Sequence, residues 1–483
     1  LQNMISEIIT DATYLSEVIN ELPSGTLLNK GVTGCGGTYV ELHSPRNSLI
    51  LVPTIELAKN KDQSDFLVVY GRTKNEDVST YLHSDIPYKK IIGTYDSLQR
   101  LLSIDNTITD YFLLVDEYHI LFNSYSFRNE PIQFLLNNYK RFKDFCFMTA
   151  TPLDDDIILE EIKDLPKLNI KWTKAQSIKL NLIDTSFTNK ELLKLFQKDE
   201  DVNYHIFLNS VKTIKDLFTK SSITDYKVVC SEKSRINNKT LKMGSTLDPP
   251  AKYNFYTATA FEGCDIYDPK GKTVILCDTS ISTTILDIST LVRQICGRLR
   301  DSIYKEEVTL ILNTSKHRYA GTPKSIFVLK VQENIKLGKY TSEKFESDPD
   351  PMYKEKELRS YSSETYNSFY VNKYQDHIYY DDNLRKMDEY NYKLITEIYN
   401  SSISVIKEAS KHNLVLKEED NWIVKKLQNR EYSFSELQEL FEEDFKERGL
   451  IFNGYTIKDY FPEFTKSRKT KNGIKETYYA FRN

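Results

Sequence analysis

Short apolar runs alternating with helix-length segments constrain this chain more than any other feature. Ser48-Leu49-Ile50-Leu51-Val52, Phe66-Leu67-Val68-Val69-Tyr70 and Lys90-Ile91-Ile92-Gly93-Thr94 have strand length and β-branched residues, and each is followed by a stretch long enough for a helix. Strands that arrive one at a time with a helical crossover between them form a parallel sheet covered on both faces. Such sheets bind ligands at the carboxyl ends of their strands. The stretch Leu113-Leu114-Val115-Asp116-Glu117-Tyr118-His119 therefore matters: an apolar strand ending in Asp-Glu delivers two carboxylates to that edge.

Upstream, residues 1–25 carry Ile5, Ile8, Ile9, Leu15, Val18 and Ile19 at helical spacing before Pro23-Ser24-Gly25, which predicts a helix leading into the first strand. Thr26-Leu27-Leu28-Asn29-Lys30 is that strand. Gly31-Val32-Thr33-Gly34-Cys35-Gly36-Gly37-Thr38 follows, then a helix from Tyr39. Strand, glycine-rich turn and helix are the parts of a phosphate cradle, in which backbone N–H groups face an anion. The spacing follows the P-loop pattern G-x-x-x-x-G-K-[ST], except that Gly37 stands where lysine is required. Lys30 is the nearest cation in sequence and is expected to point into the phosphate site. Phe145-Cys146-Phe147-Met148, running into Thr149-Ala150-Thr151-Pro152, ends a first αβ domain of residues 1–155.

A second alternation begins near Ile178. It runs through Tyr204-His205-Ile206-Phe207-Leu208-Asn209-Ser210, Tyr226 to Cys230, Asn254 to Thr257 and Thr273 to Cys277, and ends with Val308-Thr309-Leu310-Ile311-Leu312, a second domain of residues 156–340. Asp348-Pro349-Asp350-Pro351 is a linker signal, and a tyrosine-rich, mostly helical region occupies 341–420. Residues 421–483 suggest a winged helix. Ser433-Phe434-Ser435-Glu436 offers a capping box, Leu437, Leu440, Phe441 and Phe445 give one apolar helical face, Gly449 stops it, and a second short helix is expected near Thr456. Asn472-Gly473 then signals a hairpin with a basic first strand carrying Lys466, Arg468, Lys469 and Lys471.

At 483 residues and 40% hydrophobic, the chain is long enough for about three packed domains. No apolar run approaches the ~18 residues that cross a bilayer, and no charged-then-apolar leader opens the sequence, so a cytoplasmic protein is expected. The six cysteines are scattered, without C-x-x-C pairs or nearby histidines at zinc spacing, which fits reduced thiols. A net charge of −4 excludes a generally basic nucleic-acid coat; polyanion contacts must come from local patches.

Taken in order, several stretches resemble the motifs of superfamily 2 helicases of the DEAD/DExH-box type. The glycine loop resembles motif I; Pro53-Thr54-Ile55-Glu56-Leu57-Ala58 looks like motif Ia, Gly93-Thr94-Tyr95-Asp96-Ser97-Leu98 like Ib, and Asp116-Glu117-Tyr118-His119 like the DExH box. Thr149-Ala150-Thr151 resembles motif III, Phe207-Leu208-Asn209-Ser210 motif IV, Thr257-Ala258-Thr259-Ala260-Phe261-Glu262-Gly263-Cys264-Asp265 motif V, and Gln294-Ile295-Cys296-Gly297-Arg298-Leu299-Arg300 motif VI. The resemblance covers residues 25–315, and the altered loop is similar to divergent members of phages and mobile elements.

It implies two tandem RecA-like parallel-sheet domains with ATP and Mg²⁺. Lys30, Gly34, Gly36, Gly37, Thr38, Asp116, Gly263 and Asp265 would serve the nucleotide, with Thr38 and Asp116 as magnesium ligands. Glu117 would polarise the attacking water, with Gln294, Arg298 and Arg300 as further catalytic groups. His119, Thr149 and Thr151 would couple hydrolysis to motion, and Asp265 and Gly263 would link the site to nucleic acid. Pro53, Thr54, Thr94 and Thr257, together with Lys466, Arg468, Lys469 and Lys471, are the expected nucleic-acid contacts. The implied function is that of an ATP-dependent helicase or translocase, monomeric, acting on single-stranded or duplex nucleic acid with DNA favoured over RNA. Replication proteins would be its partners, in the host cytoplasm if the gene is a phage's. The alternative is a catalytically weak or inactive helicase-fold protein that binds nucleic acid as a scaffold.

Overall fold

The computed structural model describes residues 5–61, 65–174, 177–197, 201–219, 221, 223–314, 319, 321–416, 430–447, 464–471 and 474–481. Its packing divides the chain into two units. The first comprises Leu1–Ala175, Glu262–Asp265 and Gly321–Tyr392; the second comprises Gln176–Phe261, Ile266–Ala320 and Lys393–Asn483.

The first unit is built on an eight-stranded sheet: β1 (Ile5–Thr10), β2 (Thr26–Asn29), β3 (Ser48–Val52), β4 (Leu67–Val69), β5 (Lys90–Thr94), β6 (Phe112–Asp116), β7 (Asp144–Thr149) and β8 (Lys167–Trp172). Their order is β1-β8-β2-β7-β6-β3-β5-β4, with every pair parallel. Strands β3, β5 and β6 are buried along their whole length, as expected where helices cover both faces. Leu28, Ile50, Val52, Leu114, Cys146 and Met148 share one core with Val40 and Leu57 from the crossover helices.

The predicted N-terminal helix is absent. Residues Ile5–Thr10 instead form β1, which pairs with β8 from Ile5↔Lys167 to Thr10↔Trp172, and the other described residues of the segment hold only a 3-10 turn at Leu15–Glu17. The isoleucines explain the misreading: Ile5, Ile8 and Ile9 fit helical spacing, but a short β-branched run suits a pleated edge equally well. What decided the outcome was the unpaired edge of β8, a strand that periodicity had not revealed.

The second unit has a seven-stranded sheet made of β9 (Ile178–Asp184), β10 (Asn203–Phe207), β11 (Tyr226–Val229), β12 (Tyr253–Tyr256), β13 (Gly271–Asp278), β14 (Glu307–Asn313) and β17 (Leu414–Leu416). The order is β11-β12-β10-β13-β14-β9-β17, again all parallel. The chain thus contains two α/β domains, each built on an all-parallel sheet, and its sequence signalled every strand of the second sheet except β17.

After the second sheet comes the helix Lys324–Ser347, ended before the expected Asp348–Pro351 break, where Asp350 caps the next helix, Pro351–Ser360, by accepting from Met352 N at 2.9 Å. The tyrosine-rich region also contains an unpredicted hairpin of β15 (Val371–Tyr374) and β16 (His377–Tyr380). It belongs to the first unit because it is tied there: Asn129 Nδ2 donates to Asn372 Oδ1 at 2.5 Å, Lys386 Nζ donates to Ile158 O at 3.0 Å, and Phe122 meets Tyr390 edge-on. Further on, β18 (Glu431–Ser433), the helix Phe434–Glu447, β19 (Phe464–Lys471) and β20 (Ile474–Phe481) form a three-stranded antiparallel sheet with one helix. The capping box is present, with Ser433 N donating to Glu436 Oε2 and Glu436 N to Ser433 Oγ. Gly449, the helix expected near Thr456 and the Asn472-Gly473 turn lie outside the described residues. All six cysteines are buried. Among the described residues no helix is long and apolar enough to cross a membrane.

Asp381, just after β16, is buried and accepts from Asn372 Nδ2 at 2.8 Å and Asn383 N at 3.0 Å. Burial pushes its carboxyl up to about 6, from an unfolded value near 4. The folded state therefore holds this proton more tightly, and the associated stability is full below pH 4 and lost as pH rises through 6. Relative to Asp381→Asn, the parent should lose about 2 kcal/mol of unfolding free energy between pH 4 and pH 7, measured by urea titration. A constant difference between the two proteins across that window would refute the assignment.

Candidate active site

Parallel pairing places the ends of β2, β3, β5, β6 and β7 on one edge of the first sheet, and the residues singled out in the first half of the sequence cluster there. The loop after β2 turns through Gly31, Gly34 and Gly36, with φ of 78°, 77° and 83°, conformations that a side chain resists. The helix Gly37–Leu42 starts directly behind it.

Lys30 is 6% exposed, and its Nζ lies 3.0 Å from Glu117 Oε1 and 3.4 Å from Asp116 Oδ1. Burial alone lowers a lysine's affinity for its proton; here the Asp116 and Glu117 carboxylates more than reverse that, so Lys30 is held charged well above the ordinary lysine range. Thr38 Oγ1 donates to Asp116 Oδ2 at 2.7 Å, and Glu117 N donates to Asp116 Oδ1 at 3.0 Å. Glu117 Oε2 accepts from Thr149 Oγ1 at 3.0 Å, and Thr149 Oγ1 in turn accepts from Thr151 N. His119 stands 2.8 Å from Thr149 Oγ1 through Nδ1 and 3.3 Å from Glu262 Oε1 through Nε2. Burial pushes the neighbouring Cys35 thiol up to about 11, so it is an inert packing group.

The absence of a lysine at position 37 has a steric cause. A Cβ on Gly37 would come within 2.7 Å of Met148 Sδ and 3.0 Å of Lys30 Cδ, so the space is already filled by the Met148 side chain, with the stem of Lys30 beside it. Lys30 itself is anchored from both sides: its N–H donates to Thr149 O at 2.8 Å, and its carbonyl accepts from Trp172 Nε1 at 2.7 Å. Gly31 is held against β8, where a Cβ would meet Ile170 O at 2.4 Å. Trp172 carries no motif, and only the sheet order β8-β2 reveals its role.

The remaining candidates are distributed differently. Pro53, Thr94 and Thr257 are buried, and the threonine hydroxyls are engaged: Thr54 caps the helix Ile55–Asn60 by accepting from Leu57 N, Thr94 shares a bond with Ser97, and Thr257 donates to Val229 O. Gly263, with φ of 70°, packs against Leu57, while Asp265 N donates to Asn60 Oδ1 at 3.2 Å. Gln294, Arg298 and Arg300 belong to the second unit. There Arg298 is 2% exposed, and it donates through Nε to Gln294 O at 2.7 Å and through Nη2 to Gln294 Oε1 at 3.1 Å. Lys466, Arg468 and Lys469 are exposed on β19, which also carries Lys471.

The expected stability effect is specific. Gly37→Ala should lower unfolding free energy by about 1–3 kcal/mol, the usual cost of overpacking, and chemical denaturation without nucleotide would show it. A neutral effect would mean that Met148 and Lys30 do not fill the space beside position 37.

No known family model and no curated protein matches the chain. Among solved structures it is similar to Mycobacterium smegmatis helicase Lhr bound to ssDNA and AMP-PNP, at 12% identity and a TM-score of 0.44 over 96% of this chain and 74% of that one. It is also similar to S. cerevisiae Dbp5 bound to RNA and ADP BeF3, at 14% identity and a TM-score of 0.41 over 60% and 79%. For the yeast DEAD-box splicing factor Prp28 the values are 16%, 0.23, 72% and 82%. At these values the likenesses assign no function. The site itself stands on the chain's own geometry: two all-parallel α/β sheets, with the P-loop-like turn and the Asp-Glu pair at the strand ends of the first.

Proposed function

We propose that this protein is an ATP-dependent nucleic-acid helicase or translocase in which Lys30 replaces the P-loop lysine missing at Gly37. The observation that supports this most is the buried cluster of Lys30, Thr38, Asp116 and Glu117 beside a glycine-rich turn. Asp116 and Thr38 are hard oxygen donors suited to Mg²⁺. Among the described residues no group of three or more His, Cys, Asp or Glu could hold a metal by itself, so phosphate oxygens and water would complete the shell. When bound, Mg²⁺ supplies charge neutralisation for the phosphates.

The chain's own groups do the rest. Lys30 leaves Glu117 for the phosphate oxygens, which frees that carboxylate to accept the proton of an attacking water. Thr149 keeps Glu117 oriented, and His119 and Thr151 hold Thr149. Gln294, Arg298 and Arg300 are the remaining catalytic groups of this reading; arginine charge at such a transition state contributes about 10³ to 10⁵ in rate. Pro53, Thr54, Thr94 and Thr257 mark the polynucleotide path, and Gly263 and Asp265 connect it to the nucleotide. We read the helix Phe434–Glu447 with β18, β19 and β20 as a winged helix whose Lys466, Arg468, Lys469 and Lys471 take up phosphates. DNA as substrate, a phage replication setting with other replication proteins, a monomeric state and a cytoplasmic location complete the proposal.

ATPase rate with and without single-stranded DNA is the test. Lys30→Ala should lose about 10²- to 10³-fold, the scale of removing one preorganised charge or donor from a transition state. An unchanged rate would exclude Lys30 from the phosphate site. A parent that binds DNA yet never hydrolyses ATP would instead favour the scaffold reading.

A further inference from the structure

Glu117 has φ of 55°, a left-handed conformation that a residue with a Cβ adopts only when its surroundings hold it there. Tyr95 bonds the backbone on both sides of that turn. Its phenol, 1% exposed, donates to Asp116 O at 2.6 Å and lies 3.2 Å from Glu117 O. Tyr95 begins the 3-10 turn Tyr95–Ser97 directly after β5. Its ring is covered by the Arg128 guanidinium, 5.3 Å from the centroid.

Arg128 faces outward from the same edge. Its Nη1 donates to Pro53 O at 2.6 Å, its Nε to Asp96 Oδ1 at 3.3 Å, and its Nη2 contacts Asp96 Oδ2. The Arg128 side chain is 18% exposed and that of Asp96 is 52% exposed. With the hydroxyls of Thr54 and Thr94 engaged internally, Arg128 is a solvent-reachable cation among the strand-end groups of the first unit. A phosphodiester presents the guanidinium with the same forked pair of oxygens as the Asp96 carboxylate, and so competes for it.

Resting on the proposed function, we infer that Arg128 and Tyr95 are positioning residues that transmit polynucleotide binding to the Glu117 turn. Arg128 exchanges Asp96 for a backbone phosphate, its contacts with Pro53 O and the Tyr95 ring shift, and the Tyr95 phenol resets the carbonyls of Asp116 and Glu117. The polynucleotide thereby sets the aim of the carboxylate that receives the water's proton.

The test uses the full chain and compares ATP turnover without polynucleotide and at saturating poly(dT) or poly(U), with kcat and KM separated. Arg128→Ala and Tyr95→Phe should each lower the ratio of stimulated to unstimulated kcat about tenfold, and the double variant should lose no more than either alone. A purely structural role would lower both rates in proportion and leave the ratio intact, which would overturn the inference; so would additive losses in the double variant. If Arg128→Ala does not fold, Arg128→Lys reads the same ratio, because it keeps the charge but cannot reach Pro53 O and Asp96 together. A parent that hydrolyses ATP with no stimulation by either polymer overturns this inference alone. A parent with no hydrolysis at all overturns the proposed function, and the inference falls with it.

Discussion

One buried cation between two buried carboxylates organises the first domain. Lys30, Asp116 and Glu117 are each almost fully enclosed, and neither acid can be withdrawn from water cheaply without the lysine. Removing one partner of such a group typically costs about 3–5 kcal/mol, because the charge left behind has lost its hydration. The constraint reaches outward. Thr38 must supply a hydroxyl to the second oxygen of Asp116, Thr149 must do the same for Glu117, and both sit at strand or helix ends that the parallel sheet brings to one edge. The sheet order β2-β7-β6 is therefore also the electrostatic layout of the site.

This arrangement explains which parts of the molecule were legible in sequence. β3, β5 and β6 announced themselves because strands buried on both faces are continuous apolar runs, and Asp116 and Glu117 announced themselves by interrupting one. Gly37 read as a defect in a phosphate loop, whereas its Cβ position is taken by Met148 from β7 and, beside it, the stem of Lys30. That packing against a residue of another strand has no local signature. Trp172 and Arg128 were silent for a related reason. Each acts through a backbone carbonyl, Lys30 O and Pro53 O respectively, and a carbonyl leaves no mark on residue identity. β1 went the other way: its isoleucines gave a signal compatible with two structures, and only the free edge of β8 chose between them.

The region after the second sheet was the least legible because its fold is decided by what it leans on. The helix Lys324–Ser347 passes Phe369 O so closely that a Cβ at Gly338 would lie 2.3 Å from that oxygen. Lys386 reaches Ile158 O, and Asn129 reaches the β15–β16 hairpin. Tyrosines suit such a role, since a ring fills a gap while the hydroxyl finds a polar partner, as Tyr370 does with Asp388 at 2.8 Å. Composition alone showed helices with many tyrosines. Which unit they serve depends on contacts across more than two hundred residues of chain.

In the proposed reading, a phosphate-site cation at the end of a strand rather than at the start of the helix changes what can move. In the usual P-loop pattern the lysine begins the helix behind the glycine turn, so it travels with that helix. Here the Lys30 backbone is bonded to Thr149 O on β7 and to the Trp172 indole on β8, the two strands that flank β2. The base of the side chain is thus fixed to the rigid sheet that also carries Asp116, and only the four-carbon stem is free to redirect the charge. The glycine turn is relieved of carrying a cation and keeps three left-handed glycines to shape its backbone N–H groups. On the proposed function, anion binding by the loop and charge compensation beside the sheet become separate properties, and rotation of the Lys30 side chain between Glu117 and an incoming anion would be the motion that joins them.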